Sequence, residues 1–191
     1  MSLNPFTPSI DGPRLHPVEP RHAILFCFAL LTVSCTLASF ALACATPFAA
    51  FAVIAASMLP RRPALLVVTG AWLVNQGIGF CALRYPIDAS TLAWGFAIGA
   101  AALAATVTSS VVLRATSANN VALSLVLALT SAYAIYEVVL LAVTPFLGGS
   151  EAFSLAIVSR LGVLNVGWLV GLVATCEIAR LLHTSVRKHA H

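Results

Sequence analysis

Six apolar runs, each ended by proline, arginine or a short polar stretch, constrain what this chain can fold into. They cover about residues 23–44, 47–59, 64–83, 91–113, 121–143 and 161–182. A membrane-spanning helix needs about 20 apolar residues, and every run except the second reaches that length. Only 8% of the residues are charged, whereas soluble domains carry roughly a quarter. The sequence therefore predicts an all-α integral membrane protein with six transmembrane helices.

The runs form one domain with two polar extensions. We expect a single six-helix transmembrane domain over residues 23–182, a polar leader at 1–22 and a tail at 183–191. The second run is short for a span, so we expect it to tilt little, to start within the Ala45–Thr46 turn, or to leave a depression on one side. Residues 144–151 hold a proline and two glycines, which predicts a flexible loop.

The basic residues predict the orientation in the membrane. Six spans put both termini on one side, and that side carries Arg14, Arg21, Arg61, Arg62, Arg114, Arg180, Arg187 and Lys188. The opposite side carries Arg84 and Arg160. Because cytoplasmic loops are enriched in Lys and Arg, we expect both termini to be cytoplasmic and the loops after spans 1, 3 and 5 to face outward. These residues are spread over the ends of the apolar runs and not clustered on one face, which argues against a nucleic-acid-binding patch.

Residues 71–86 carry small and polar side chains inside the third apolar run. On a regular helix Gly77, Cys81 and Tyr85 fall on one stripe, at i, i+4 and i+8. The amides of Asn75 and Gln76 fall roughly on the opposite face. We expect this amide pair to form hydrogen bonds between helices. A polar contact to a substrate at mid-depth is the alternative.

The thiol of Cys81 has two interpretations. A free cysteine is commonly a small buried hydrophobe, and the five cysteines of this chain have no CxxC or Cys/His metal spacing. Alternatively, a thiolate would supply one axial position to a metal that a macrocycle already holds. Gly77, one turn before Cys81, would let a large flat group approach the backbone.

Glu137 in the fifth run is a carboxylate within the membrane, which is a functional hypothesis by default. Tyr133 and Tyr136 lie close to it along the helix. We expect Glu137 to pair with Arg160 or with Arg84, either as a structural ion pair or as part of a binding site. The predicted outer side also holds Tyr85, Asp88 and Glu151.

The size, the six spans and the stretch of residues 72–86 resemble the BtuM family. These are small bacterial inner-membrane transporters of vitamin B12, related to the substrate-binding S-components of energy-coupling-factor transporters. The resemblance covers the span architecture throughout, whereas the motif covers only span 3 and Trp94–Gly95 of span 4.

The resemblance implies an S-component-like bundle that binds cobalamin as its transported ligand, in a cavity open to the periplasm. Cys81 would be the axial cobalt ligand, and a bound thiolate would also displace an exchangeable axial group such as cyanide. The ligand contacts that we expect around it are Tyr85, Gly77, Arg84, Asp88, Tyr133, Glu137 and Arg160. S-components dock to a coupling module through small-residue faces, which would give Ala41 and Ala45 in span 1 a role.

Three other functions stay open at this point. They are an S-component for another vitamin or a metal ion, a membrane thiol redox enzyme, and a structural membrane subunit. The sequence contains no P-loop, GxSxG or HExxH motif and no histidine inside a span. Active transport would therefore need an energising partner or a gradient.

Overall fold

The structure is a computed structural model that describes residues 15–42, 45–116 and 120–189, with side chains up to residue 185. The described chain is helical: α1 (Ala23–Leu42), α2 (Phe48–Met58), α3 (Arg61–Gly77), α4 (Ala89–Ala115), α5 (Val121–Leu147) and α6 (Leu155–His189). A π-helical turn, Ile78–Ala82, extends α3, and short 3-10 helices cover Pro20–His22 and Ser150–Phe153. Five helices, α1 and α3–α6, are long and apolar enough to cross a membrane. These features indicate a multi-pass membrane protein.

Helix α2 is the centre of the bundle. Ten of its 11 residues are buried, and it packs against each of the other five helices. Phe51 stacks edge-on against Phe48 and against Trp168 of α6, with ring centroids 5.9 and 6.1 Å apart. A helix that is apolar on all sides is a core helix. The second apolar run therefore forms the core around which the longer helices pack.

The two described terminal segments lie at the same end of the bundle. The N–H of Leu15 donates to the carbonyl of Ser57, at the end of α2, over 3.1 Å. The thiol of Cys176, in the second half of α6, lies 3.8 Å from the sulfur of Met58. We call the opposite end, where α1, α3 and α5 finish, the cavity end.

Helix α1 packs against α3. Ser34 and Ala38 are buried, and the thiol of Cys35 donates to the carbonyl of Ala71 over 3.2 Å. Ala41 is exposed near the end of α1 at Leu42, and Ala45 lies beyond the helix, so the two alanines do not form one helical face. A docking role for this part of the chain stays a prediction.

Helix α5 continues through the stretch that predicted a flexible loop. Pro145 lies inside the helix and lacks the N–H that would bond to the carbonyl of Leu141. The hydroxyl of Thr144 donates to that carbonyl instead, over 2.8 Å. The helix ends at Leu147. Gly148 follows with a φ of 79°, a conformation that glycine adopts without steric strain.

The N-terminus of α2 is capped by a side chain from another helix. Pro47, at the N-cap position, offers no side-chain cap. The N–H of Ala50 donates instead to Oδ1 of Asn165 in α6 over 3.1 Å, and Nδ2 of Asn165 donates to the carbonyl of Leu161 over 3.0 Å. Asn165 is buried. The N–H of Ala50 is itself buried, so this amide supplies its acceptor and fixes where α2 can begin.

We predict that Asn165→Leu, which keeps the branched shape of the side chain but removes its polar atoms, lowers the free energy of unfolding by about 2 kcal/mol because a buried N–H loses its acceptor. The matched control is Asn120→Leu at the N-cap of α5, where Asn120 accepts from the N–H of Leu123 over 3.0 Å but is exposed. Water replaces that bond, so the control should cost about 0.5 kcal/mol. Chemical unfolding in detergent micelles measures both, and equal losses would contradict the capping role.

Candidate functional site

The third helix ends in a turn that the apolar pattern does not reveal. After Gly77 the backbone widens into a π-helical turn, in which the N–H of Leu83 donates to the carbonyl of Ile78 over 2.9 Å. Arg84 then adopts a φ of 56°, the left-handed region that non-glycine residues rarely enter. The chain therefore reverses at Arg84 and the helix does not reach Tyr85.

Tyr85 folds back onto the helix that it follows. Its N–H donates to the carbonyl of Gly79 over 3.0 Å, and a Cβ at Gly79 would lie 2.8 Å from its ring. Residues two apart on a helix point in nearly opposite directions, about 160° apart. The predicted Gly77–Cys81–Tyr85 stripe is therefore wrong: Tyr85 lies over Gly79, whereas Gly77 and Cys81 are exposed.

The amide pair forms hydrogen bonds between elements, as predicted. Nδ2 of Asn75 donates to the hydroxyls of Ser39 in α1 and Thr46 before α2, over 2.9 and 3.0 Å. Nε2 of Gln76 donates to Oδ1 of Asn75 over 3.2 Å. This network joins α3 to α1 and to the chain that enters α2.

Glycines on α4 let α3 come close. The indole N–H of Trp72 donates to the carbonyl of Gly95 over 2.9 Å. A Cβ at Gly95 would meet Oε1 of Gln76 at 2.5 Å, and one at Gly99 would meet the Trp72 ring at 2.7 Å. A side chain at either position would displace the Gln76 amide or the Trp72 ring, so these glycines let α4 lie against the amide pair.

A cavity of about 440 Å³ opens between α4, α5 and α6 at the cavity end. Thr46 and Asn165, beside the start of α2, are among its lining, and Gly149 and Phe153 come from the α5–α6 connection. The full lining is Ala45, Thr46, Trp94, Ile98, Tyr133, Tyr136, Glu137, Leu140, Gly149, Ala152, Phe153, Ile157, Leu161 and Asn165. Asn165 lies ten residues into α6, about 15 Å along the helix at 1.5 Å per residue. The cavity is therefore the depression that a short second span can leave.

A smaller cavity of about 90 Å³ adjoins the larger one. Trp94 and Ile98 of α4 line both. The smaller lining also includes the amide pair and Tyr85, together with Gly79, Phe80, Thr91 and Gly95. Tyr85 and the amide pair thus line the same cavity, although the predicted stripe places them on opposite faces of the helix.

Glu137 lines the larger cavity without the ion pair that the sequence suggested. Among the described residues the ion pairs are Glu19–Arg21 and Glu177–Arg180, each with an N–O distance of 2.8 Å. Glu137 lies ten residues before the end of α5, about 15 Å along the helix. Arg84 and Arg160 are exposed nearer the cavity end and do not reach it.

Asp88 has a local structural role in addition to any contact with a ligand. Its Oδ1 accepts the N–H of Thr91 over 2.8 Å, at the N-cap of α4. This hydrogen bond stabilises the charged form and lowers the pKa of the carboxyl group. Asp88 is exposed, as are Arg84 and Arg160.

Cys81 differs from the other described cysteines in its exposure. Cys27, Cys35 and Cys176 are buried, whereas Cys81 is exposed in the π-helical turn. Phe80, the residue before it, lines the smaller cavity, but Cys81 lines neither cavity. The described residues contain no cluster of three His, Cys, Asp or Glu side chains that could hold a metal ion.

Several cavity residues escape sequence reasoning. Trp94, Phe153 and Thr46 line the larger cavity, but from the sequence Trp94 belongs only to the resembling stretch, Thr46 lies in a predicted turn and Phe153 has no predicted role. The short second run is the signal that could have indicated them. A core helix that begins deep in the bundle leaves an open space above its first residue, and side chains of the neighbouring elements line that space.

Comparison with known proteins identifies no relative of this chain. No protein-family model matches it, and no curated protein or solved structure gives a significant match. The functional proposal therefore depends on the residues of the chain and on the resemblance of residues 72–86.

Two glycines of the third helix provide a matched test of the folded-back Tyr85. A methyl group at Gly79 would collide with the Tyr85 ring, whereas nothing lies within 4 Å of a Cβ at Gly77. We predict that Gly79→Ala lowers the free energy of unfolding by about 1–3 kcal/mol. Gly77→Ala should raise it by about 0.5–1 kcal/mol because alanine favours helix. Unfolding in micelles measures both, and two changes of the same sign would contradict this geometry.

Proposed function

We propose that the chain is an inner-membrane uptake protein for cobalamin, with the cavity end facing outward and the Cys81 thiolate binding cobalt axially. The observation that carries this proposal is the exposure of Cys81, when the other described cysteines are buried. The resemblance of residues 72–86 names the ligand. The exposed thiol supplies a group that can reach cobalt.

The distribution of positive charge supports the proposed orientation. Arg61, Arg62 and Arg114 lie at the end that also holds the described terminal segments, and Arg180 lies near it. The cavity end carries Arg84 and Arg160. Under the positive-inside rule the richer end faces the cytoplasm, so both termini are cytoplasmic and the cavity end meets an incoming nutrient.

One thiol is sufficient for the proposed contact. The corrin ring holds cobalt in its plane and leaves an axial position, which suits a soft thiolate. Cobalamin is far larger than the ligands that a cavity of 440 Å³ encloses. The corrin therefore lies across the cavity end, where Cys81 is exposed and where Gly77 leaves open space beside it.

Neighbouring side chains suit the rest of the ligand. Arg84 is exposed and held in a left-handed conformation, which is a strained position of the kind found at binding sites. Its guanidinium can pair with the phosphate of the cobalamin nucleotide. Tyr85 and Asp88 offer hydrogen-bonding groups to the corrin amides. Arg160 lies at the same end.

Tyr133 and Glu137, which lie deeper in the bundle, would make fewer contacts with the proposed ligand. Tyr133 and Glu137 lie about 15–20 Å below the end of α5, so they meet only a group that projects from the corrin plane. A coupling module, if one energises uptake, would dock on the exposed side of α1 that includes Ala41. Ala45 lines the cavity and has no part in that contact.

We predict that the purified protein binds cobalamin with an absorption spectrum shifted by sulfur ligation, and that Cys81→Ala abolishes the shift. Cys176→Ala is the control, because that thiol is buried against Met58 at the other end of the bundle. Its spectrum should match that of the unaltered protein. Absorption spectroscopy of the protein with added cobalamin measures the effect.

Two results would reject the proposal. The first is an unaltered protein that binds no cobalamin. The second is a shifted spectrum that persists in Cys81→Ala. That result would mean that the Cys81 thiolate is not the cobalt ligand and that Cys81 is a packing residue.

A further inference from the structure

We propose that the larger cavity binds a small monovalent organic cation, with Glu137 as its counter-ion and the rings of Trp94, Tyr133 and Tyr136 around it. This site is separate from Cys81, which does not line the cavity. The inference therefore does not depend on cobalamin as a ligand.

The charge of the cavity indicates the sign of the ligand. Among the described residues that line the cavity, Glu137 is the only charged one. It forms no ion pair with any described residue, since those pairs are Glu19–Arg21 and Glu177–Arg180. A carboxylate within a membrane is costly unless it is paired. The Tyr133 side chain lies within hydrogen-bonding reach of the carboxyl group, but a phenol brings no positive charge. A cationic ligand supplies the charge that the described residues do not.

The aromatic rings indicate what kind of cation fits. Tyr133 and Glu137 are one turn apart on α5, Tyr136 is next to Glu137, and Trp94 faces them from α4. Trp and Tyr rings attract a cation that lies over their faces, and they do so most strongly when water is excluded. Three such rings beside one carboxylate are suited to an ammonium group that carries alkyl substituents.

One of these rings is held in position by the protein. The hydroxyl of Tyr133 donates to the carbonyl of Val158 over 2.6 Å, and its ring lies 3.3 Å from the Cβ position of Gly162. The position of the Tyr133 ring is therefore set before a ligand arrives, which reduces the entropy lost on binding.

The remaining polar groups of the cavity argue against a bare metal ion. Asn165 uses its amide on Ala50 and Leu161, and the hydroxyl of Thr46 accepts from Asn75. Calcium and magnesium take six or more oxygen ligands, which this largely apolar lining does not provide. A cation of low charge density needs no such shell, and a cavity of 440 Å³ accommodates a small molecule.

The test compares two probes that differ in charge but hardly in shape, choline and 3,3-dimethylbutan-1-ol. Calorimetric titration of the full chain in lipid nanodiscs at neutral pH should show choline binding at least about tenfold tighter than the neutral alcohol. Because this comparison uses the unaltered protein, it does not depend on the folding of a variant.

Variants then assign the effect to the cavity. Glu137→Gln should weaken choline binding at least about tenfold, and Tyr136→Leu about threefold to tenfold. The control is Glu177→Gln, which removes an acid of α6 that pairs with Arg180 and does not line the cavity. It should leave choline affinity unchanged.

The proposal is overturned if the unaltered protein does not bind choline, or if the neutral alcohol binds as tightly. It is also overturned if Glu137→Gln binds choline like the unaltered protein, or if Glu177→Gln weakens binding to the same degree. The cobalt spectrum is a separate readout, so failure of one proposal is distinguishable from failure of the other.

Discussion

The start of α2 determines much of this structure. In a bilayer every backbone N–H must find a partner within the protein, yet α2 begins well below the cavity end after a proline that offers no cap. Asn165 of α6 accepts the N–H of Ala50 there, and Asn75 of α3 binds Thr46 just before the helix. These contacts hold the short helix deep in the bundle. The space above its start is the larger cavity.

The sequence predicted the features that depend on hydropathy and helical period. Six apolar runs became six helices, and Asn75 of the amide pair formed the expected bonds to other elements, with Gln76 donating to Asn75. Local backbone geometry could not be predicted in the same way. A π-helical turn and the left-handed φ of Arg84 move Tyr85 off the expected stripe, and neither leaves a periodic signal. Ala45 also lies outside α1, although Pro47, a helix-breaking residue, is visible in the sequence.

The cavity end separates two kinds of chemistry by depth. Cys81 and Arg84 are exposed near the end, where a large ligand can lie across the bundle. Glu137 and its aromatic neighbours lie deeper, in a cavity sized for a small molecule. Because Gly79 and Cys81 point in nearly opposite directions, a small ligand held wholly inside the cavities does not meet the thiol. The exposed side chains at the cavity end and the side chains inside the larger cavity therefore support separate proposals.

The central claim is that Cys81 is exposed at an end of the bundle that faces outward. Its most direct test is labelling with a membrane-impermeant thiol reagent in a Cys44→Ser background, with Cys44→Ser/Cys81→Ser as the control. We predict that Cys81 reacts in spheroplasts of an expressing bacterium and is protected in inside-out vesicles, while the buried cysteines stay unlabelled. Labelling only in inside-out vesicles, or none in either preparation, would contradict the account.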